Sequence, residues 1–134
     1  MAFPIERKLV VAVSSSALFD LTESDRVWTN EGPGAYERHQ REHLDDVLGK
    51  GVGFPFIRRF LNINARFSDE QPVEVVLLSR NSATTGKRVF RSIARYGLSI
   101  TRAAFMDGKS PYEYIPAFNA SLFLSANQHD VANA

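Results

Sequence analysis

Residues 8–19 read Lys8-Leu9-Val10-Val11-Ala12-Val13-Ser14-Ser15-Ser16-Ala17-Leu18-Phe19. An unbroken apolar run, long enough for one strand, ends abruptly in a row of serines. Leu, Val and Ala without polar alternation describe a strand buried on both faces, as in the middle of a parallel α/β sheet. Ligands of such sheets bind just past the carboxyl ends of the strands. The serines therefore stand where phosphate binding or chemistry is expected.

Working outward, a second buried run, Val73 to Leu78, also passes into polar residues, Ser79-Arg80-Asn81-Ser82. Two shorter runs complete the set, so strands are predicted at Leu9–Val13, Val73–Leu78, Ala103–Met106 and Ser121–Leu124, with Leu98 to Thr101 a further short candidate. Between them, Phe54 to Phe67 reads as a helix, with Pro55 in its first turn and Phe56, Phe60, Ile63 and Phe67 at helical spacing. Ala83 to Tyr96 reads as another, with Ser82 as N-cap, Gly97 as stop, and Val89, Phe90 and Ile93 turned to the sheet. Ala35 to Leu48, charged and free of Gly and Pro, is an exposed helix ended by Gly49, and Pro111 to Ala117 a short helix start. Asp20 to Gly34 reads as a loop, and Gly49-Lys50-Gly51-Val52-Gly53 as a flexible connector. Strand alternating with helix implies an α/β fold, a three-layer, doubly wound, Rossmann-like parallel sheet. The segment 20–53 would be a small helical cap-like insertion over its crevice.

Composition sets the bounds. The 134 residues suit one domain, residues 1–134, able to bury roughly two-thirds of the surface of the unfolded chain. A net charge of +1 gives no polyelectrolyte signal for nucleic acid or membrane. Without cysteine there is no disulfide framework and no thiolate nucleophile or metal ligand. The opening Met-Ala-Phe-Pro-Ile-Glu-Arg-Lys is not a signal peptide, and no run approaches the roughly 20 apolar residues of a membrane span. A cytoplasmic protein is expected.

Several groupings invite a chemical reading. Ser14, Ser15, Ser16, Ser79, Ser82 and Ser125 all follow strands, and in a parallel sheet those ends converge on one crevice, where hydroxyls and helix amides suit a phosphate. Serine is equally a common cap and turn residue. Lys109, in a loop before the last strand unit, would be a second group for that phosphate. Lys87, Arg91 and Arg95 form one helical stripe, a nucleic-acid footprint or simply a solvated face; no aromatic residues are interleaved to stack bases. His39-Gln40-Arg41-Glu42-His43 matches H-x-x-E-H, with both imidazoles on one helix face as zinc requires, yet a third ligand must come from elsewhere. Gly49-Lys50-Gly51 lacks the spacing and hydroxyl of a phosphate-binding P-loop.

Five blocks together resemble the cytosolic 5′-nucleotidase I family: Ala12 to Phe19, Tyr36 to His43, Phe54-Pro55-Phe56, Val76 to Ser82, and Phe123 to Asn127. Their order and spacing agree from about Lys8 onward, and the His-Glu-His helix becomes an ordinary family segment rather than a zinc site. The resemblance implies a haloacid-dehalogenase-like fold and Mg²⁺-dependent hydrolysis of nucleoside 5′-monophosphates. It also implies an aspartate nucleophile and acid/base in D-x-D-x-[TV], a Ser or Thr and a Lys on the phosphate, and an acidic pair on the metal. Ser79 fits the phosphate-binding hydroxyl and Lys109 the lysine. Ser14 and Ser16, however, stand where the aspartates would be, and Ser125-Ala126 where the acidic pair would be. A neutral serine is a poor anionic ligand for Mg²⁺ and, without an adjacent base, a poor nucleophile.

The chain thus looks like the first, carboxylate-stripped half of such a protein, with the nucleophile motif in a second half. Two functions follow. It either supplies scaffold and part of the nucleotide pocket to a 5′-nucleotidase, being nearly inactive alone, or it is a non-catalytic module for phosphate or nucleotide binding, or for dimerisation. Candidate phosphate-binding residues are Ser14, Ser15, Ser16, Ser79 and Lys109, with no catalytic or metal-ligating residue of its own. The expected partners are a nucleoside monophosphate or phosphate and a second half-domain or second copy, without nucleic acid or membrane.

Overall fold

A computed structural model describes residues 9–67, 69–79, 83–100, 102–106, 120–125 and 132. Its centre is a parallel sheet of strands β1 (Leu9–Val13), β4 (Val73–Ser79), β5 (Arg102–Phe105) and β6 (Leu122–Leu124), in the order β5-β4-β1-β6. The unbroken apolar run becomes the inner strand β1, paired on both edges, as its composition predicts. Chain order steps from β1 to β4 to β5 in one direction, then returns past β1 to β6. The reversal lies between β1 and β6, the place where such sheets open a ligand crevice at their carboxyl ends.

Alternation along the strands divides the core. Val11, Val13, Val73, Val75 and Leu77 point to the face covered by helices α3 (Phe54–Arg66) and α4 (Ala83–Arg95), against Ile57, Val89 and Ile93. Both helices lie on one face because the two right-handed crossovers step the same way. Val10, Ala12, Val76 and Leu78 point to the opposite face and are equally buried, packed with Ala104, Ala120 and Phe123. Each such aliphatic side chain contributes about 1.5–3 kcal/mol by leaving water. The fold is α/β and Rossmann-like, as predicted. Strand bounds move by a residue or so, and residues 98–100 are irregular rather than a strand, although Leu98 and Ile100 are buried.

Between β1 and α3 the chain departs from its reading. After one helical turn, α1 (Ser15–Leu18), the two-residue strand β2 (Phe19–Asp20) pairs antiparallel with β3 (Gly49–Lys50). Helix α2 (Thr22–Glu42) lies between them, so the predicted loop Asp20 to Gly34 is mostly helical, and the following helix ends at Glu42 rather than Leu48. Gly32 breaks α2 into two legs, with φ 87° and ψ −179°. Only glycine takes that conformation freely, and Pro33 then suits the first turn of the second leg. Gly-Pro-Gly is here the hinge of a helical hairpin. The Asp20 carboxylate accepts from the Thr22 amide at 3.0 Å and its hydroxyl at 2.5 Å, starting the first leg.

The connector 49–53 is held rather than flexible. Gly51 N–H donates to Leu18 O at 2.9 Å and Gly53 N–H to Ala17 O at 2.7 Å. The backbones approach so closely that a Cβ on Gly51 would overlap Ala17 O. Beneath, Tyr96 stacks on Phe19 and meets Phe54 edge-on, while its hydroxyl donates to Leu48 O at 2.7 Å.

Two helix faces also differ from expectation. Ile57 and Phe54 are the buried side chains of α3, whereas Phe56, Ile63 and Phe67 face outward and Phe60 is half-buried. On α4, Val89 and Ile93 are buried as predicted, but Phe90 is exposed and meets Phe105 edge-on at 5.8 Å. Gly97, at φ 68°, ends α4 as predicted, letting Leu98 N–H reach back to Ile93 O at 3.0 Å.

Candidate functional site

The serines of β1 meet those of β4 at the carboxyl edge of the sheet. Ser14 leaves β1 extended and caps α1, its Oγ accepting from Ala17 N–H at 3.1 Å, while its own amide donates to Leu124 O of β6 at 2.8 Å. Ser14 Oγ and Ser16 Oγ share a hydrogen bond of 3.0 Å. Ser15 is turned inward, and its Oγ shares a buried hydrogen bond of 2.7 Å with Ser79 Oγ at the end of β4. Ser14, Ser15 and Ser79 are buried and Ser16 is half-buried, with Ser125 half-buried just past β6. Four of the five candidate phosphate-binding residues are thus gathered at one edge; Lys109, and Ser82 as N-cap, lie outside the described residues.

Chemically, this edge offers hydroxyls and backbone amides. Among the described residues, the side chains that directly follow β1 and β6 and the one that ends β4 are serines, and no group of three or more His, Asp or Glu gathers around a point. Magnesium favours hard anionic oxygen donors. These donors do not fit it. The hydroxyl pair is structural as well as polar: Ser15→Ala or Ser79→Ala alone should cost about 1–2 kcal/mol, because the remaining buried hydroxyl loses this bond. Urea unfolding of the double variant should show a smaller loss than the sum of the singles, the signature of a direct partner.

A second polar constellation escaped the sequence reading. Arg88 on α4 is only 7% exposed. Its guanidinium donates to Gln40 Oε1 at 3.1 Å, Asp46 O at 3.1 Å and, at a longer 3.5 Å, Ser24 Oγ. Ser24 and Gln40 belong to opposite legs of α2, so one cation holds both legs and shows that the hairpin folds back on itself. Tyr36 OH and Thr85 Oγ1 share a buried bond of 2.7 Å one turn away, and Leu48 N–H donates to Ser92 Oγ at 3.0 Å. Thr85, Arg88 and Ser92 are three and four residues apart, a buried polar stripe one step around the helix from Lys87, Arg91 and Arg95. That spacing was the available signal, obscured because Arg88 sits in a run of exposed cations. Lys87, Arg91 and Arg95 of the neighbouring stripe are exposed, with Arg91 paired to Asp45.

Burial shifts the titrating groups around this insertion. It holds Arg88 below its ordinary range and raises Tyr36 and Asp25, with the Asp20 charge also raising Asp25. His39 is lowered by burial and by His43, whose ring lies 4.1 Å from its own. His43 Nδ1 is committed to His39 O at 2.7 Å, so the H-x-x-E-H pair is part of the helix end. Two surface grooves, between Leu44 and Arg95 and between Arg58 and Ser99, lie away from the serines.

A parallel sheet with its polar residues at the carboxyl edge, and a helical hairpin clasped onto α4, define an α/β Rossmann-like domain with an insertion after its first strand. The chain belongs to the 5′-nucleotidase family, whose family model, described as 5′-nucleotidase, matches residues 1–134. Human (Homo sapiens) cytosolic 5′-nucleotidase 1B is 31% identical over 131 residues, covering 94% of this chain and 22% of that protein. The chain therefore spans about a fifth of the length of this curated relative. No solved structure matches it. Among the described residues, no helix is long and apolar enough to cross a membrane.

Proposed function

We propose that this chain forms the phosphate side of a nucleoside 5′-monophosphate crevice in a cytoplasmic 5′-nucleotidase with a haloacid-dehalogenase-like domain. The observation that carries the reading is the 2.7 Å bond between Ser15 and Ser79. It locks the ends of β1 and β4 together and sets the Ser14 and Ser16 hydroxyls at the edge where the sheet order reverses. A phosphate there would be held by hydroxyls and N–H groups, with Lys109 as a counter-charge. Binding by such donors needs no metal.

Hydrolysis needs more. Attack on phosphorus and neutralisation of the phosphoryl charge are supplied in this family by aspartates and Mg²⁺, and the strand ends here carry hydroxyls in their place. The carboxylates are assigned to polypeptide outside this segment, and no catalytic step is assigned to the serines. Two measurements test the reading. Calorimetry with AMP should show weak binding that is largely unchanged by Mg²⁺. Incubation with AMP or IMP and Mg²⁺ should release phosphate at the background rate. Turnover near 1 s⁻¹, an ordinary enzymatic rate, would overturn the assignment of the serines, and absence of nucleotide binding would leave the chain a scaffold.

A further inference from the structure

Helix α3 has an apolar flank that, among the described residues, is left uncovered. At about 100° per residue, Ile57 points at the sheet and Phe54 and Arg58 lie on the side that meets Tyr96 at the end of α4. Phe56, Ile63 and Phe67 fall on the opposite side, 57%, 38% and 50% exposed. That side looks away from α4, toward the β6 edge of the sheet. Strand alternation turns Leu9 and Leu122 to the same face as Val11, and both are 40% exposed. Helix wall and sheet floor together make an apolar slot. From Phe56 to Phe67 it runs about 16 Å, room for three turns of a neighbouring helix.

The charges on its border select the occupant. Arg59 and Arg66, two turns apart and exposed, edge the flank, and α3 contains no acidic residue; Asp69 and Glu70 lie beyond its end. Two copies of α3 laid together would set arginine against arginine. The matching surface is apolar with carboxylates along its margin. Its position completes the layer: α4, then α3, then one more helix beside the β1–β6 side of the sheet, the usual way a sheet face is closed. The human relative is more than four times longer than the matched segment, so that protein carries ample further chain. We propose that this slot docks an amphipathic helix whose apolar seam is flanked by Asp or Glu, contributed by 5′-nucleotidase polypeptide outside these residues.

The test uses the whole chain and two synthetic helices that share a leucine seam, one flanked by glutamates and one by lysines. Calorimetry should detect the glutamate helix alone, with affinity weakened by salt. Ile63→Ser should abolish that binding, and Arg59→Glu with Arg66→Glu should weaken it about tenfold and transfer preference to the lysine helix. All three side chains are exposed, so unchanged thermal melts would certify folding. No binding to folded protein, or equal binding of both helices, overturns the proposal. So does a dimer seen by light scattering that Ile63→Ser dissolves, or sedimentation with phosphatidylserine vesicles that Phe56→Ser abolishes.

Discussion

Gly51→Ala should prevent the domain from folding, or cost it more than about 4 kcal/mol, from a total that for small domains is about 5–15 kcal/mol. The added methyl meets only backbone: Ala17 O at an overlapping distance, Phe19 N at 2.8 Å and Leu18 C at 2.9 Å. No rotamer relieves that. Relief requires the 49–53 segment to withdraw, which breaks the Gly51–Leu18 bond and loosens β2 from β3. Gly34→Ala is the matched control. Nothing lies within 4 Å of its Cβ position and it sits in the second leg of α2, so alanine should stabilise by about 0.5–1 kcal/mol. Urea unfolding of the two variants reads both signs. If Gly51→Ala unfolds with the parent midpoint, the close approach described between α1 and the connector is wrong.

Arg88→Met should be the next most damaging change, at about 3 kcal/mol. Methionine fills much of the space but makes none of the bonds, so Gln40 Oε1, on a side chain with no exposed surface, loses its donor along with Asp46 O. An unpaired buried polar group costs about 1–3 kcal/mol, and breaking a buried charge network costs more than one such loss. The damage should be regional. Hydrogen exchange should accelerate across both legs of α2 while the amides of β1 and β4 stay protected. Uniform acceleration would mean that insertion and sheet unfold as one unit. Arg88→Lys should recover only part of the loss, since an ammonium cannot reproduce the planar fork that spans two legs.

The sheet was legible because its cause is local. Four of the five residues of β1 are buried, and a strand buried on both faces must be apolar throughout. The convergence of serines followed from topology alone: if Leu9–Val13 and Val73–Leu78 are parallel neighbours, Ser15 and Ser79 end up side by side. The insertion was not legible, because its helices are stabilised by what they touch rather than by their own pattern. Thr22 to Glu31 has almost no apolar face, and it is helical beside Arg88 and Tyr36. Gly32-Pro33-Gly34 carries the same letters whether it ends a loop or hinges two helices. The aromatic repeat on α3 misled differently. Phe56, Phe60, Ile63 and Phe67 do keep helical spacing, but the buried side chains are Phe54 and Ile57, leaving Phe56, Ile63 and Phe67 facing out and Phe60 half-buried.

The pairing of Phe19–Asp20 with Gly49–Lys50 has a further consequence, one of chain length rather than of contacts. The polypeptide leaves and re-enters the body of the domain one strand-width apart. Closure of an excursion from so narrow a root depends only logarithmically on its size, about 0.6 kcal/mol for each doubling. The hairpin is therefore free to lengthen or shorten without moving β1 or shifting the register of the sheet. What resists change is the root itself, where Gly51 admits no side chain, so the part of the insertion with the smallest footprint sets the limits for all the rest.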